Sequence, residues 1–195
     1  LRMDCTDSTW TSGGIGLRTY QAAADFDNVV AGAGAMSFTD DFQDGNQNGW
    51  DTRSGSWVVG STAAVEHVLT VGNNLSGPWI SPDGISGTDQ DLSADVQARE
   101  GNQAGLLVRT TDTSPDPRGY YAAIDTNKDA LLLMRAGTWD SLNSCTVGLA
   151  TGQVSLPTAL ERAHTYRLRL TAIGSTVSAY LDGTLRIQCT DATTT

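Results

Sequence analysis

Carboxylates and imidazoles are the first groups to weigh, because hydrolytic chemistry would begin with them. The chain has three glutamates, Glu66, Glu100 and Glu161, far apart in the sequence. A retaining glycosidase needs two carboxyl groups about 5 Å apart flanking the bond, and no strand-like stretch sets two Glu on one face. His67 and His164 have neither an H-E-x-x-H pattern nor a Ser or Cys nucleophile motif beside them. Strand-surface positions suit them, and no enzyme is expected. Oxygen-rich loops come next. Asp44-x-Asn46-x-Asn48-Gly49 matches the first half of a calcium loop, whose ligands alternate along the chain. The twelfth position holds Gly55 instead of Glu, so an EF-hand is excluded. Asp125-x-Asn127-x-Asp129 matches more weakly and reads as a hairpin turn. The competing reading for these loops is Asx-rich turns that satisfy their own backbone.

Flat aromatic faces beside polar side chains are the hallmark of sugar contact. Trp50, Trp139, Tyr120 and Tyr121 fall at or near expected loops, with Asn, Asp and Arg nearby, and are the candidate glycan-binding residues. A core role is the competing reading. Trp57 and Tyr166 lie in apolar alternation and are expected in the core. Asn74-Leu75-Ser76 is a glycosylation sequon in an expected turn.

The two ends of the chain repeat each other. LRMDCTDSTWT (1–11) and LRIQCTDATTT (185–195) align without a gap and share seven of eleven residues, at a constant offset of 184 from Leu1 to Leu185. A period of that length is a whole domain. The chain then reads as one window on a repeated unit, opening inside a strand. The three cysteines fit this scheme. Cys5 and Cys189 occupy the same repeat position, so each unit carries two, one of them like Cys145. An even pair without C-x-x-C spacing points to one disulfide per unit and an oxidising location. Cys145 pairs with Cys189 or with Cys5; reduced, buried thiols are the alternative.

Stepping out from these residues to the elements that hold them, the pattern is all-β. Strands are expected at Ile15–Tyr20 and Asp25–Val30 after a Gly13–Gly14 turn. AGAGAM, residues 31–36, is expected to be a small-residue linker. Leu92, Ala94, Val96 and Ala98 alternate on one face, and Gly119–Asp125 pairs with Ala130–Arg135 as a hairpin. His164–Thr171 alternates again, and Asp182–Gly183 is a two-residue hairpin signal. About a dozen strands with regular turns predict two antiparallel sheets packed face to face. At 195 residues and a formal charge of −10, with one Lys against eleven Arg, the chain has no attraction for nucleic acid or an anionic membrane. It also has neither a visible signal peptide nor an apolar run of membrane-spanning length.

FTDDFQDGNQNGW, SGSWVV, LSADVQAR–GNQAGLLVRT, GYYAAID, HTYRLRLTAIGSTVSAYLDGTL and GGIGLRTYQAAADFDNVV together resemble concanavalin A-like, laminin G-like jelly-roll domains of secreted bacterial proteins. The resemblance covers most of the chain and implies a jelly-roll sandwich. It implies little about function, since this fold hosts glycan binding, adhesion and hydrolysis alike. The glycosidases of the fold share an E-x-D-x-E strand that is missing here. Related domains share a structural calcium between first and last strands, which adds Asp27 with Asp40 or Asp41 to the possible calcium ligands Asp44, Asn46 and Asn48. In that family IGLRTY and FDNV form the last strand, whereas here they precede the first.

Residues 1–30 are therefore expected to be a displaced closing segment, 31–36 a linker and 37–195 the jelly-roll body. Ile15, Leu17, Tyr20, Phe26 and Val29 would carry the closing strand. A body without that strand exposes an unpaired edge. The segment either returns to its own sheet or completes a neighbouring copy, as in strand addition. The expectation is a non-catalytic extracellular or cell-surface unit, structural or adhesive, partnered by identical units in a filament or tandem array. The rival is a carbohydrate-binding module of a secreted polysaccharide-degrading enzyme.

Overall fold

The structure, a computed structural model, describes residues 10–61, 67–74, 77–111, 116–142, 145–148, 152–156, 159–162 and 164–190. Sixteen strands and no helix occur among them. In chain order these are β1 (Gly13–Ala33), β2 (Met36–Asp40), β3 (Trp50–Ser54), β4 (Trp57–Gly60), β5 (Val68–Asn74), β6 (Trp79–Pro82), β7 (Ser86–Gly87) and β8 (Gln90–Thr111). They continue with β9 (Arg118–Asp125), β10 (Ala130–Ala136), β11 (Asp140–Ser141), β12 (Cys145–Val147), β13 (Gln153–Ser155), β14 (Tyr166–Ile173), β15 (Thr176–Leu181) and β16 (Thr184–Thr190).

β1 and β8 organise everything else. They pair antiparallel from Gly14↔Thr110 to Ala33↔Gln90, nearly their whole length. Each contributes to two leaves. In one leaf, Ala24–Ala33 of β1 lies beside Gln90–Ala98 of β8. This pair is flanked by β2 and β5 on one side and by β14, β15, β16 and β12 on the other. In the other leaf, the first part of β1 lies beside Gln103–Thr111 of β8. Here the flanking strands are β6 and β7 on one side and β9 and β10 on the other. All the pairings are antiparallel. The outcome is one continuous bent sheet, consistent with the expected β-sandwich, in place of two separately hydrogen-bonded sheets.

The sequence of β1 explains how one strand serves both leaves. Its core-facing residues are odd-numbered at Ile15 and Leu17, even-numbered at Ala24 and Phe26, and odd-numbered again at Val29 and Ala31. A strand changes faces in this way only by inserting an extra residue. Gln21 and Asn28, each at φ 48°, sit at the two changes. Opposite the first, Gly101 of β8 adopts φ 83°, and a β-carbon there would overlap the Gln21 carbonyl oxygen. Only glycine lets the two backbones come this close at the bend.

Several expected boundaries move. The two strands expected at Ile15–Tyr20 and Asp25–Val30 are one strand. Gly13–Gly14 is paired with β7 and β8 and does not form a turn. The expected 31–36 linker shrinks to Gly34–Ala35, because Ala31 and Ala33 are buried in β1 and Met36 already pairs with Ala33. The Asp182–Gly183 turn forms as expected, with both residues at positive φ.

The main core fills the space between the leaves. Phe26, Leu69, Leu92, Leu106, Tyr120 and Leu170 are among its fully buried side chains, each worth about 1.5–3 kcal/mol of transfer free energy. Arg109 is buried as well. Its guanidinium donates to the carbonyls of Thr88, Trp10 and Gly174, tying the segment before β1 to the start of β8 and the β14–β15 turn. Cys145 of β12 is disulfide-bonded to Cys189 of β16, one of the two pairings left open by the sequence. Cys5 lies outside the described residues.

Candidate functional site

The second leaf is apolar on both faces, which is why β9 (RGYYAAID) and β10 (ALLLMRA) read as continuous apolar runs. Tyr120 points into the main core. Tyr121 points the other way and joins Trp79, Leu107, Leu132 and Met134 in a second, smaller cluster with Trp139 against it. Into this cluster β1 sends a charge. Arg18 is 3% exposed, and its guanidinium carbon lies 3.9 Å from the ring centre of Trp139, 5.4 Å from that of Tyr121 and 5.8 Å from that of Tyr20. The Arg18 Nε has no hydrogen-bond partner. Burial pulls the guanidinium below its usual range, opposed by Tyr121 and Asp116, which favour the charged form. The same burial pushes the Tyr121 phenol well above its usual value. It therefore stays a neutral donor, 3.3 Å from the Arg18 carbonyl oxygen.

A cavity of about 280 Å³ opens beside Arg18, lined by Arg18, Tyr20, Gln103, Lys128, Met134 and Trp139. Trp139 reaches it from a left-handed backbone position, φ 59°, in a tight turn closed by its N–H on the Arg135 carbonyl. Gly77 makes room on the other side, where a β-carbon would overlap the guanidinium. Asp125 lies behind the wall. One carboxylate oxygen accepts the backbone N–H groups of Asn127 and Lys128, and the other accepts the Gln103 amide at 3.1 Å.

The four aromatic candidates part company here. Trp139 borders the cavity and Tyr121 supports it from beneath. Tyr120 is 1% exposed and packs edge-on against Trp10. Trp50 donates its indole N–H to Asp40 at 2.7 Å and packs against Phe38 and Phe42. Neither Tyr120 nor Trp50 offers a ring face to solvent. Ile15, Leu17, Phe26 and Val29 are fully buried, while Tyr20 is 37% exposed at the cavity. Arg18, Gln103, Lys128 and Met134 were not singled out in the sequence. The signal available was Arg18 itself, a lone cation in IGLRTY.

The acidic candidates gather at another place. Asp40, Asp41 and Asp44 line a cavity of about 770 Å³ together with Asp95 and Arg167. Asp27 lies close enough for its carboxyl pKa to be raised, by burial first and then by Asp95, Asp41 and Asp40. Most of these oxygens hold turns. Asp40 accepts from the Phe42 N–H and the Trp50 indole, Asp41 from Gln43, Asp44 from Asn46, and Asn46 from Asn48. The positive charge at this end is Arg167, which reaches Asp95 at 3.2 Å and also bonds Ser93 and the Asn28 carbonyl. Among the described residues no group of three or more His, Cys, Asp or Glu is placed to hold a metal ion.

Glu100 and Glu161 are exposed on separate elements, and Glu66 lies outside the described residues. His67 is half-buried just before β5, and His164 is exposed with its ring against Tyr166. Asp125 holds the β9–β10 turn by accepting the Asn127 and Lys128 N–H groups, as the hairpin reading expects, and Asp129 accepts the Leu160 N–H. The sequon residues 75–76 lie outside the described part. No described helix is long and apolar enough to cross a membrane. No known protein family, curated protein or solved structure matches the chain.

Proposed function

We propose that this chain is a non-catalytic extracellular β-sandwich unit of jelly-roll type, strung in series with identical units in a structural or adhesive array. The duplicated segment carries this reading. LRIQCT, which stands within and around β16 and holds Cys189, has its counterpart LRMDCT ahead of β1 at an offset of 184, from Leu1 to Leu185. The position of β1 supports it further. β1 is paired along β8 and turned directly into β2 through Gly34–Ala35, so a hairpin ties it to the body that follows in sequence. Units in series are then each closed by their own β1 and joined through the segment before it, which favours a tandem array over strand exchange between chains. The Cys145–Cys189 bridge fits an oxidising compartment. A chain of residues 1–195 followed directly by 12–195 tests the reading. The expected result is two folded bodies in line by small-angle scattering, with one Cys145-type bridge in each by mass spectrometry. Aggregation, or bridges between units, would refute it.

The second reading is a carbohydrate-binding module of a secreted polysaccharide-degrading enzyme, favoured by the cavity at Trp139. Its test is glycan-array binding by the isolated chain that is lost in Trp139→Ala.

A further inference from the structure

We propose that the Arg18–Trp139 cavity binds an acidic sugar, with Arg18 and Lys128 meeting an anionic group carried on a pyranose ring and Tyr20 and Gln103 flanking that ring. The proposal rests on the second, carbohydrate-binding reading and names its substrate class.

Charge distribution is the first argument. The chain has 22 Asp and Glu against 12 Lys and Arg, yet the cavity lining includes two cations and no carboxylate. Asp125, 2% exposed, accepts from Gln103 and two backbone N–H groups and lies 3.9 Å from the Lys128 ammonium, while Asp116 favours the charged form of Arg18. The second argument is the state of Arg18. Taking a guanidinium out of water is costly unless it is paired and hydrogen-bonded. Ring contacts, Tyr121 and Asp116 offset part of this cost, and the Nε remains without a partner. A ligand carboxylate or sulfate in the cavity would give the guanidinium a charged acceptor, and charge-assisted bonds of this kind are the strong ones.

Local backbone supports the same assignment. Trp139 is a bulky residue at positive φ, a strained conformation of the kind that persists at ligand clamps. Gly77 leaves room for the guanidinium beside that ring, since a β-carbon there would overlap it. The volume, about 280 Å³, sits at the lower edge of the roughly 300–1,000 Å³ range of small-molecule sites and suits a single ring. Tyr20, at 37% exposure, offers the half-open aromatic edge that a sugar chain needs to pass.

The test is titration calorimetry on the full chain with three ligands of equal length: oligogalacturonate, its fully methyl-esterified form, and a sulfated oligosaccharide without carboxylates. The expected result is oligogalacturonate binding at least tenfold tighter than its methyl ester, weakening as salt rises. Lys128→Ala, at an exposed position, should weaken it several-fold without changing the melting temperature, and Arg18→Met should abolish it. Tight binding of the sulfated ligand alone would keep the anionic site and assign the ester as its source. Equal binding of the acid and the methyl ester, or indifference to Lys128→Ala, overturns the acidic-sugar assignment and leaves the carbohydrate-binding reading standing. No binding of any of the three overturns both.

Discussion

Asp25 shows how a buried carboxyl ties stability to pH. One oxygen accepts from the Thr70 hydroxyl at 2.8 Å and from Arg99 Nε at 3.0 Å, while the other has no partner. Burial raises its pKa, and the Thr70 bond and Arg99 charge only partly counter this. A carboxyl whose folded pKa lies above its unfolded value contributes most below the unfolded pKa, and that contribution is lost as pH rises through the folded one. Asp25→Asn should therefore gain stability relative to the parent chain as pH rises from 3.5 to 7, read by urea denaturation. A gap that stays constant with pH would rule this out. At this scale the sequence is least legible. Trp50 and Trp139 both sit beside expected loops, but Asp40 draws the Trp50 indole inward, while the Arg135–Trp139 turn holds its ring against Arg18. Both outcomes are decided by partners from other strands or by positive-φ turns, and alternation patterns carry neither.

At the scale of elements, the bend shared by β1 and β8 is the sensitive point. Gly101→Ala would place a β-carbon against the Gln21 carbonyl at a left-handed backbone position. The loss should exceed about 2 kcal/mol, measured as a drop in urea midpoint. An unchanged midpoint would mean that the bend adapts. Deleting residues 1–30 removes most of β1 and should leave no soluble folded chain, since β8, β5 and β6 would all lose a pairing partner. Solution scattering from a folded, monodisperse deletion product would contradict this. The importance of IGLRTY and FDNV was visible in the sequence, as were the β9–β10 and β15–β16 hairpins. Their fusion into one strand was not, because the switch of buried face at Gln21 and again at Asn28 imitates two separate short strands.

For the molecule as a whole, the all-β class, the antiparallel pairing and a disulfide at Cys145 were legible in the sequence, but the choice of Cys189 over Cys5 was not, because the two occupy the same repeat position. The continuity of the sheet was not, since hydrogen bonding through a bend leaves no mark on alternation. The Cys145–Cys189 bridge spans 44 residues, and a loop of that length is worth about 4 kcal/mol by chain entropy. Reduction, or Cys145→Ser, should lower unfolding free energy by about that amount, and a change below about 1 kcal/mol would show that the ends are held by other means. One last consequence follows from β1 and β8 lying in both leaves. Neither half of the molecule can melt while the other persists, because the same two strands run through both. Native-state hydrogen exchange should find the amides of Leu17, Phe26, Val96 and Leu106 opening together, only when the entire chain comes undone.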